Sequence, residues 1–146
     1  MRLWHKDLIP YLPQPQLISQ WRECCAIASR LAKDGTPNHL LVNKVLEYPT
    51  DHFVFYTNLV VQELKNRGYK VSVKTWHIFC DNLSKFYDGE SCVLDINIGD
   101  IFKYWHNDIY LGICFSNLYE KYLCGGIKKE EFDKIRDYYA KRIVGR

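Results

Sequence analysis

The chain of 146 residues nowhere offers the ~18 consecutive apolar residues that a membrane-spanning helix needs. Its opening, Met-Arg-Leu-Trp-His-Lys-Asp, holds no uninterrupted apolar stretch of the kind that marks a signal peptide. A soluble, cytoplasmic protein is the expectation. No Cys-x-x-Cys pair occurs among the six cysteines (Cys24, Cys25, Cys80, Cys92, Cys114, Cys124). On a helix Cys24 and Cys25 point about 100° apart, which is poor geometry for zinc. In a reducing compartment these thiols are expected to be structural and mostly buried rather than paired. Neither a metal nor a cofactor is called for. No segment repeats at a fixed period, and there is no low-complexity tail.

What the chain does have is apolar bulk. Hydrophobic residues make up 47% and aromatics 15%, ample for one packed core, so residues 1–146 are read as a single domain. The net charge of +3 is modest but unevenly placed. Residues 1–44 carry six basic groups (Arg2, Lys6, Arg22, Arg30, Lys33, Lys44) against three acidic ones (Asp7, Glu23, Asp34), while the rest of the chain balances. A positive end on a neutral body suits a polyanionic partner, although a charge of this size also fits ordinary surface variation.

Periodicity points to an all-α fold, a compact helical domain with an irregular N-terminal arm and loops. Pro10, Pro13 and Pro15 predict an irregular or extended arm over residues 1–15. Leu17, Trp21, Cys24, Cys25, Ala28 and Leu31 recur at helical spacing and predict a helix from Gln16 to about Lys33, ended by Asp34-Gly-Thr-Pro-Asn38. A short helical segment from His39 to Leu46 precedes a helix capped by Thr50 or Asp51 and running to Asn66, apolar around most of its circumference. Tyr69 to Lys74 alternates in a way that suits a loop or minor strand. Trp76 to Tyr87 is read as a helix, and 88–100 as a mixed segment. Asp108 to Leu123 and Lys128 to Arg146 are two further helices, separated by Gly125-Gly126.

On the first helix a wheel sorts the polar residues into two stripes. Arg22, Ala26, Ser29 and Lys33 form one, in which two cations flank small residues that would let a phosphate backbone come close. Gln16, Gln20, Glu23 and Arg30 form the other, bordering the apolar face and leaving Glu23 at a margin suited to partial burial. On spacing alone, an amphipathic helix with a solvated polar side is the more ordinary reading.

The whole segment Asp7-Leu-Ile-Pro-Tyr-Leu-Pro-Gln-Pro-Gln-Leu-Ile-Ser-Gln-Trp-Arg-Glu23 favours a site. It resembles the pyrimidine-dimer DNA glycosylase family of phages and bacteria, the endonuclease V type. In that family a short N-terminal arm leads through a Gln-containing approach to a helix bearing an aromatic-Arg-Glu triplet, here Trp21-Arg22-Glu23. Asn38-His39, Asn43-Lys44 and the segment Val61-Gln-Glu-Leu-Lys-Asn-Arg-Gly-Tyr69 look like the family's middle region. The likeness covers roughly residues 1–70, with a weaker match around Asn117 to Tyr122.

The resemblance implies a glycosylase with abasic-site lyase activity on double-stranded DNA. An N-terminal α-amine attacks the sugar C1′, a base leaves, and the resulting imine undergoes strand-cleaving elimination. An α-amine suits this role because its ordinary pKa is about 7.7 to 8.0, against about 10.4 for a lysine side chain. Glu23 matches the carboxylate that stabilises the cationic sugar and shuttles protons, and Arg22 the arginine that holds a phosphate beside the extruded nucleotide. Arg2, Lys6, Gln16, Arg30, Lys33 and His39 are the expected DNA contacts.

Three departures stand out. Arg2 is too large for ordinary removal of the initiator, so the nucleophile is expected to be the amine of Met1, with Lys6 as fallback, or else to be lost. Ala26 occupies the place where the family usually has another arginine, which is expected to weaken DNA binding or shift lesion preference. The aromatic-rich tail of the phage enzyme has no counterpart in Lys141-Arg-Ile-Val-Gly-Arg146. His5 is read either as a phosphate or base contact or as a structural histidine. Trp4 and Trp21 are read either as wedges against bases or as core. The chain is expected to act as a monomer without an obligate protein partner. The competing readings are a noncatalytic DNA-binding relative that has lost its nucleophile, and a small interaction protein using its aromatic surface, which predicts no salt-dependent DNA binding at all.

Overall fold

The computed structural model describes residues 1–86 and 96–145. Within them lie five α-helices, α1 (Gln14–Asp34), α2 (Thr50–Asn66), α3 (Val73–Phe86), α4 (Asp108–Leu123) and α5 (Lys129–Val144), with no strand among the described residues. Short 3₁₀ helices occupy Lys6–Tyr11, Asn43–Glu47 and Ile98–Asp100. The expected all-α class is what the chain adopts. Tyr87, at the end of the expected third long helix, and Cys92, Gly89 and the rest of 88–95 lie outside the described residues, as does Arg146.

The first helix starts at Gln14, two residues before the expected Gln16, because Pro15 falls in its first turn, where the missing N–H has no helical partner to lose. It ends at Asp34 with Gly35 in the left-handed conformation (φ 71°), its N–H bonded to the Leu31 carbonyl. The buried stripe is Leu17, Gln20, Trp21, Cys24, Ile27, Ala28 and Leu31. It therefore includes Gln20, assigned above to the polar border, and leaves Cys25 only half-buried. Helix α2 begins at Thr50 after Pro49, and neither Thr50 nor Asp51 is its N-cap residue. Residues 69–72 form no strand, and α3 takes over at Val73, ahead of the expected Trp76.

Helix α1 packs on α3 and α2, and α4 packs on α5. Trp21 stacks on Trp76 and meets Phe79, and Phe79 meets Phe53 of α2, so the first three helices share an aromatic seam. Trp4 and Trp21 are both core residues rather than exposed wedges.

The N-terminal arm is irregular, with no long helix before Gln14, but it is not extended throughout: Lys6–Tyr11 is a 3₁₀ helix with Pro10 inside it, and Leu3, Trp4, His5, Lys6, Leu8, Ile9 and Leu12 are buried. The chain lays this arm into the middle of the molecule, because its backbone polar groups find partners there. Arg67, just past α2, donates from Nη1 to the Leu12 carbonyl (2.7 Å) and from Nη2 to that of Pro10 (3.1 Å). Arg142 of α5 ties Asp7 to Tyr138 and Asp108. Cys24 and Cys114 are buried as expected of structural thiols, whereas Cys80 and Cys124 are exposed. No helix among the described residues is long and apolar enough to cross a membrane.

Candidate active site

Gln20 and Glu23 lie one helical turn apart on α1, on the side that receives residues 1–4. Gln20 is fully buried, and each end of its amide is used. Its Oε1 accepts the Trp4 N–H (2.7 Å), and its Nε2 donates to the Arg2 carbonyl (2.9 Å) and to Glu23 Oε2 (3.2 Å). The Tyr56 hydroxyl, buried on α2, lies 2.5 Å from the Trp4 carbonyl oxygen and 3.0 Å from Gln20 Oε1. A side-chain amide thus stands in for the partner that the Arg2–Trp4 backbone would have in a sheet, and meeting these groups offsets the cost of burying them.

The same Glu23 Oε2 accepts the Arg2 N–H at 3.3 Å. The α-amino nitrogen of Met1 is separated from that N–H only by the Met1 Cα and carbonyl carbon, and so stands within roughly 4 Å of it. The arm therefore ends with its first peptide against the half-buried Glu23 carboxylate. The carboxylate thus bonds the peptide next to the amine, and the two groups are neighbours across that peptide without an ion pair between them.

The other expected residues distribute unevenly. Arg22 and Lys33 are exposed, and Arg30 is exposed with a long contact from Nη1 to the Pro37 carbonyl (3.5 Å). Arg22 and Lys33 are eleven positions apart on α1, about 16 Å along its axis, a span that matches several phosphates of a duplex rather than one site. His39 lies beyond the far end of α1, half-buried, its Nδ1 accepting the Leu41 N–H. Gln16 is half-buried with Oε1 free of partners among the described residues. Arg2 turns its guanidinium over the rings of Trp4 (5.7 Å) and Tyr110 (6.0 Å), where it remains partly exposed.

Lys6 differs from the rest. Only 5% exposed, it donates from Nζ to the carbonyls of Gly99 (2.9 Å) and Ile101 (2.5 Å). Its ammonium serves the interior and faces neither Glu23 nor solvent, and burial pushes its pKa down. His5 is likewise interior: burial holds it down to about 4, so it is neutral at neutral pH. Burial raises the thiol of Cys25 to about 11 and that of Cys24 further, which keeps both protonated and unreactive.

Concavity alone would point elsewhere. Clefts of about 360, 520 and 380 Å³ gather around Tyr11, and none of them is lined by Met1, Arg22 or Glu23. Two contributors escaped the sequence reading. Gln20 was visible only as a border glutamine, and Tyr56 only as an apolar helix residue; nothing local signals that both would close on Trp4, sixteen and fifty-two positions away.

A family profile described as pyrimidine dimer DNA glycosylase matches residues 1–77. No curated protein and no solved structure matches the chain. The matched stretch contains the arm, α1 and α2, and hence every group around Glu23 described above except Tyr110.

Proposed function

Because the chain belongs to the pyrimidine dimer DNA glycosylase family, we propose that it also cleaves the strand it has deglycosylated, through an imine formed by the α-amine of Met1. The amine attacks C1′ of a nucleotide extruded from damaged duplex DNA, the C1′–base bond breaks, and the base leaves with a proton. The C1′–O4′ bond then opens, with O4′ taking up a proton, to give the imine at C1′; the imine acidifies the C2′ hydrogen, and its removal expels the 3′-phosphate by elimination. Glu23 is the proposed carboxylate for both stages: it stabilises the cationic sugar and relays protons to and from the amine. The scheme needs no metal or cofactor.

The observation that carries this reading is the Glu23 carboxylate bonded to the Arg2 N–H, next to the amine. Arg22 is proposed to hold the phosphate beside the extruded nucleotide, and Arg2, Gln16, Arg30, Lys33 and His39 to line the duplex. Lys6 is left to its structural bonds. The chain is taken as one domain acting as a monomer on double-stranded DNA.

Borohydride trapping on duplex DNA with either a thymine dimer or an abasic site tests the proposal. A covalent adduct is expected with untagged protein and lost after N-terminal acetylation, and Glu23→Gln is expected to slow strand cleavage by about 100-fold or more while DNA is still bound. No adduct on either DNA from folded protein would sink the imine mechanism and leave a DNA-binding relative without the amine chemistry.

A further inference from the structure

Besides α5, which holds Asp7 through Arg142, the arm touches two walls. One is α1 with α2, the candidate site. The other is the segment 98–110, which lies outside the matched residues 1–77. From it the Tyr110 hydroxyl donates to the Leu3 carbonyl (2.6 Å), and the Tyr110 ring underlies the Arg2 guanidinium. His106 meets the arm twice: its Nδ1 accepts the Lys6 N–H (3.0 Å), and its carbonyl lies 3.0 Å from His5 Nε2. Since His5 Nδ1 accepts the Asp7 N–H, the His5 proton sits on Nε2 and is donated to that carbonyl. Lys6 Nζ closes the contact on the carbonyls of Gly99 and Ile101.

This wall is held in an unfavourable backbone state. Phe102 has φ 50°, left-handed for a bulky residue, yet it is fully buried. Its N–H is bonded to His52 Nδ1, and its carbonyl accepts the N–H groups of Trp105 and His106. Strain of this kind persists only where the surroundings over-determine it. Here it aims His106 at the arm. His106 also keeps a polar ring in an aromatic cluster although its buried Nε2 has no partner among the described residues. A residue present only for packing would not carry that cost; the Nδ1 bond to the Lys6 N–H is what the ring supplies.

We propose that Tyr110 and His106 are positioning residues for the Met1 amine, holding the arm backbone at Leu3 and Lys6 so that the Arg2 peptide stays bonded to Glu23 with the amine next to it. The catalytic consequence rests on the imine reading; the placement of the arm does not.

The test uses the full chain with Tyr110→Phe, His106→Leu and His106→Asn, the last putting a carbonyl oxygen where Nδ1 was. Three quantities are read: the single-turnover trapping rate on abasic-site duplex, Kd for the same DNA, and hydrogen exchange of residues 2–6. Tyr110→Phe and His106→Leu are expected to slow trapping about 10- to 100-fold with Kd within about twofold, since a misplaced reactive group costs rate rather than binding. Exchange in residues 2–6 is expected to rise while α1 and α2 stay protected, and His106→Asn to recover most of the rate. Tyr110→Phe removes one oxygen and carries the test should His106→Leu unfold. Wild-type trapping rates in the variants, or unchanged exchange in residues 2–6, overturn the proposal. Should wild-type protein fail to trap, the imine reading falls by itself, and exchange alone then decides: faster exchange supports the clamp and unchanged exchange overturns it.

Discussion

Single side chains decide where the first four residues go. Gln20 offers a donor and an acceptor on one rigid amide, and both are spent on the arm, at the Arg2 carbonyl and the Trp4 N–H. Gln20→Leu keeps the volume and strands both groups in the interior. It is expected to cost about 2 to 4 kcal/mol, read as a lower urea midpoint with unchanged slope, and to slow trapping as the arm loosens. A cost below about 0.5 kcal/mol would mean that water replaces the amide. His5 makes stability depend on acid. In the folded chain it holds no proton until the pH nears about 4, whereas unfolded it protonates near 6.5. Between those values the unfolded state binds more protons, so stability is full above the unfolded value and falls as the pH drops towards the folded one, by an order of 3 kcal/mol over the window. Burial shifts His106 in the same direction. Urea midpoints at pH 7, 5.5 and 4.5 read this directly, and a flat profile would remove His5 as its source.

At the scale of elements, α1 carries both the site and the largest helix contact, so its ends and its buried face matter most. Trp21 packs on Trp76 and Phe79 at ring distances of 6.0 and 5.8 Å. Trp21→Ala is expected to cost roughly 3 to 5 kcal/mol by calorimetry and to move Arg22 and Glu23 with the helix, whereas an effect below about 1 kcal/mol would mean that α3 closes the gap. At the other end, a Cβ added at Gly35 (φ 71°) meets nothing within 4 Å. Gly35→Ala is therefore expected to cost roughly 1 to 2 kcal/mol from backbone conformation alone, with DNA cleavage unchanged. The helices themselves were legible because a 3.6-residue repeat records which face is buried. The cap of α2 and the 3₁₀ helix in the arm were not, because prolines mark where an ordinary α-helix is barred without saying which tighter turn replaces it, and the early start of α3 was hidden by the alternating pattern of Tyr69 to Lys74.

For the whole molecule, the charges that reach solvent along α1 are the ones proposed to hold duplex DNA. Arg22 and Lys33 are exposed, while Lys6 is withdrawn into the interior. Arg22→Ala and Lys33→Ala are each expected to lower the slope of log K against log salt by about 1, and Lys6→Ala to leave that slope unchanged while destabilising the fold. A full unit of slope lost with Lys6→Ala would place it on DNA after all. What the sequence by itself determined is the local part: the all-α class, the helix faces, and Glu23 on the half-buried margin of α1, because these follow from spacing within one helix. Only the tertiary structure decided that the arm is core, that Lys6 is a staple, and that His106 and Tyr110 reach back across 100 and 107 residues to bond it. Those contacts join groups with no local pattern. They exist because a buried backbone must find partners wherever the folded chain brings them.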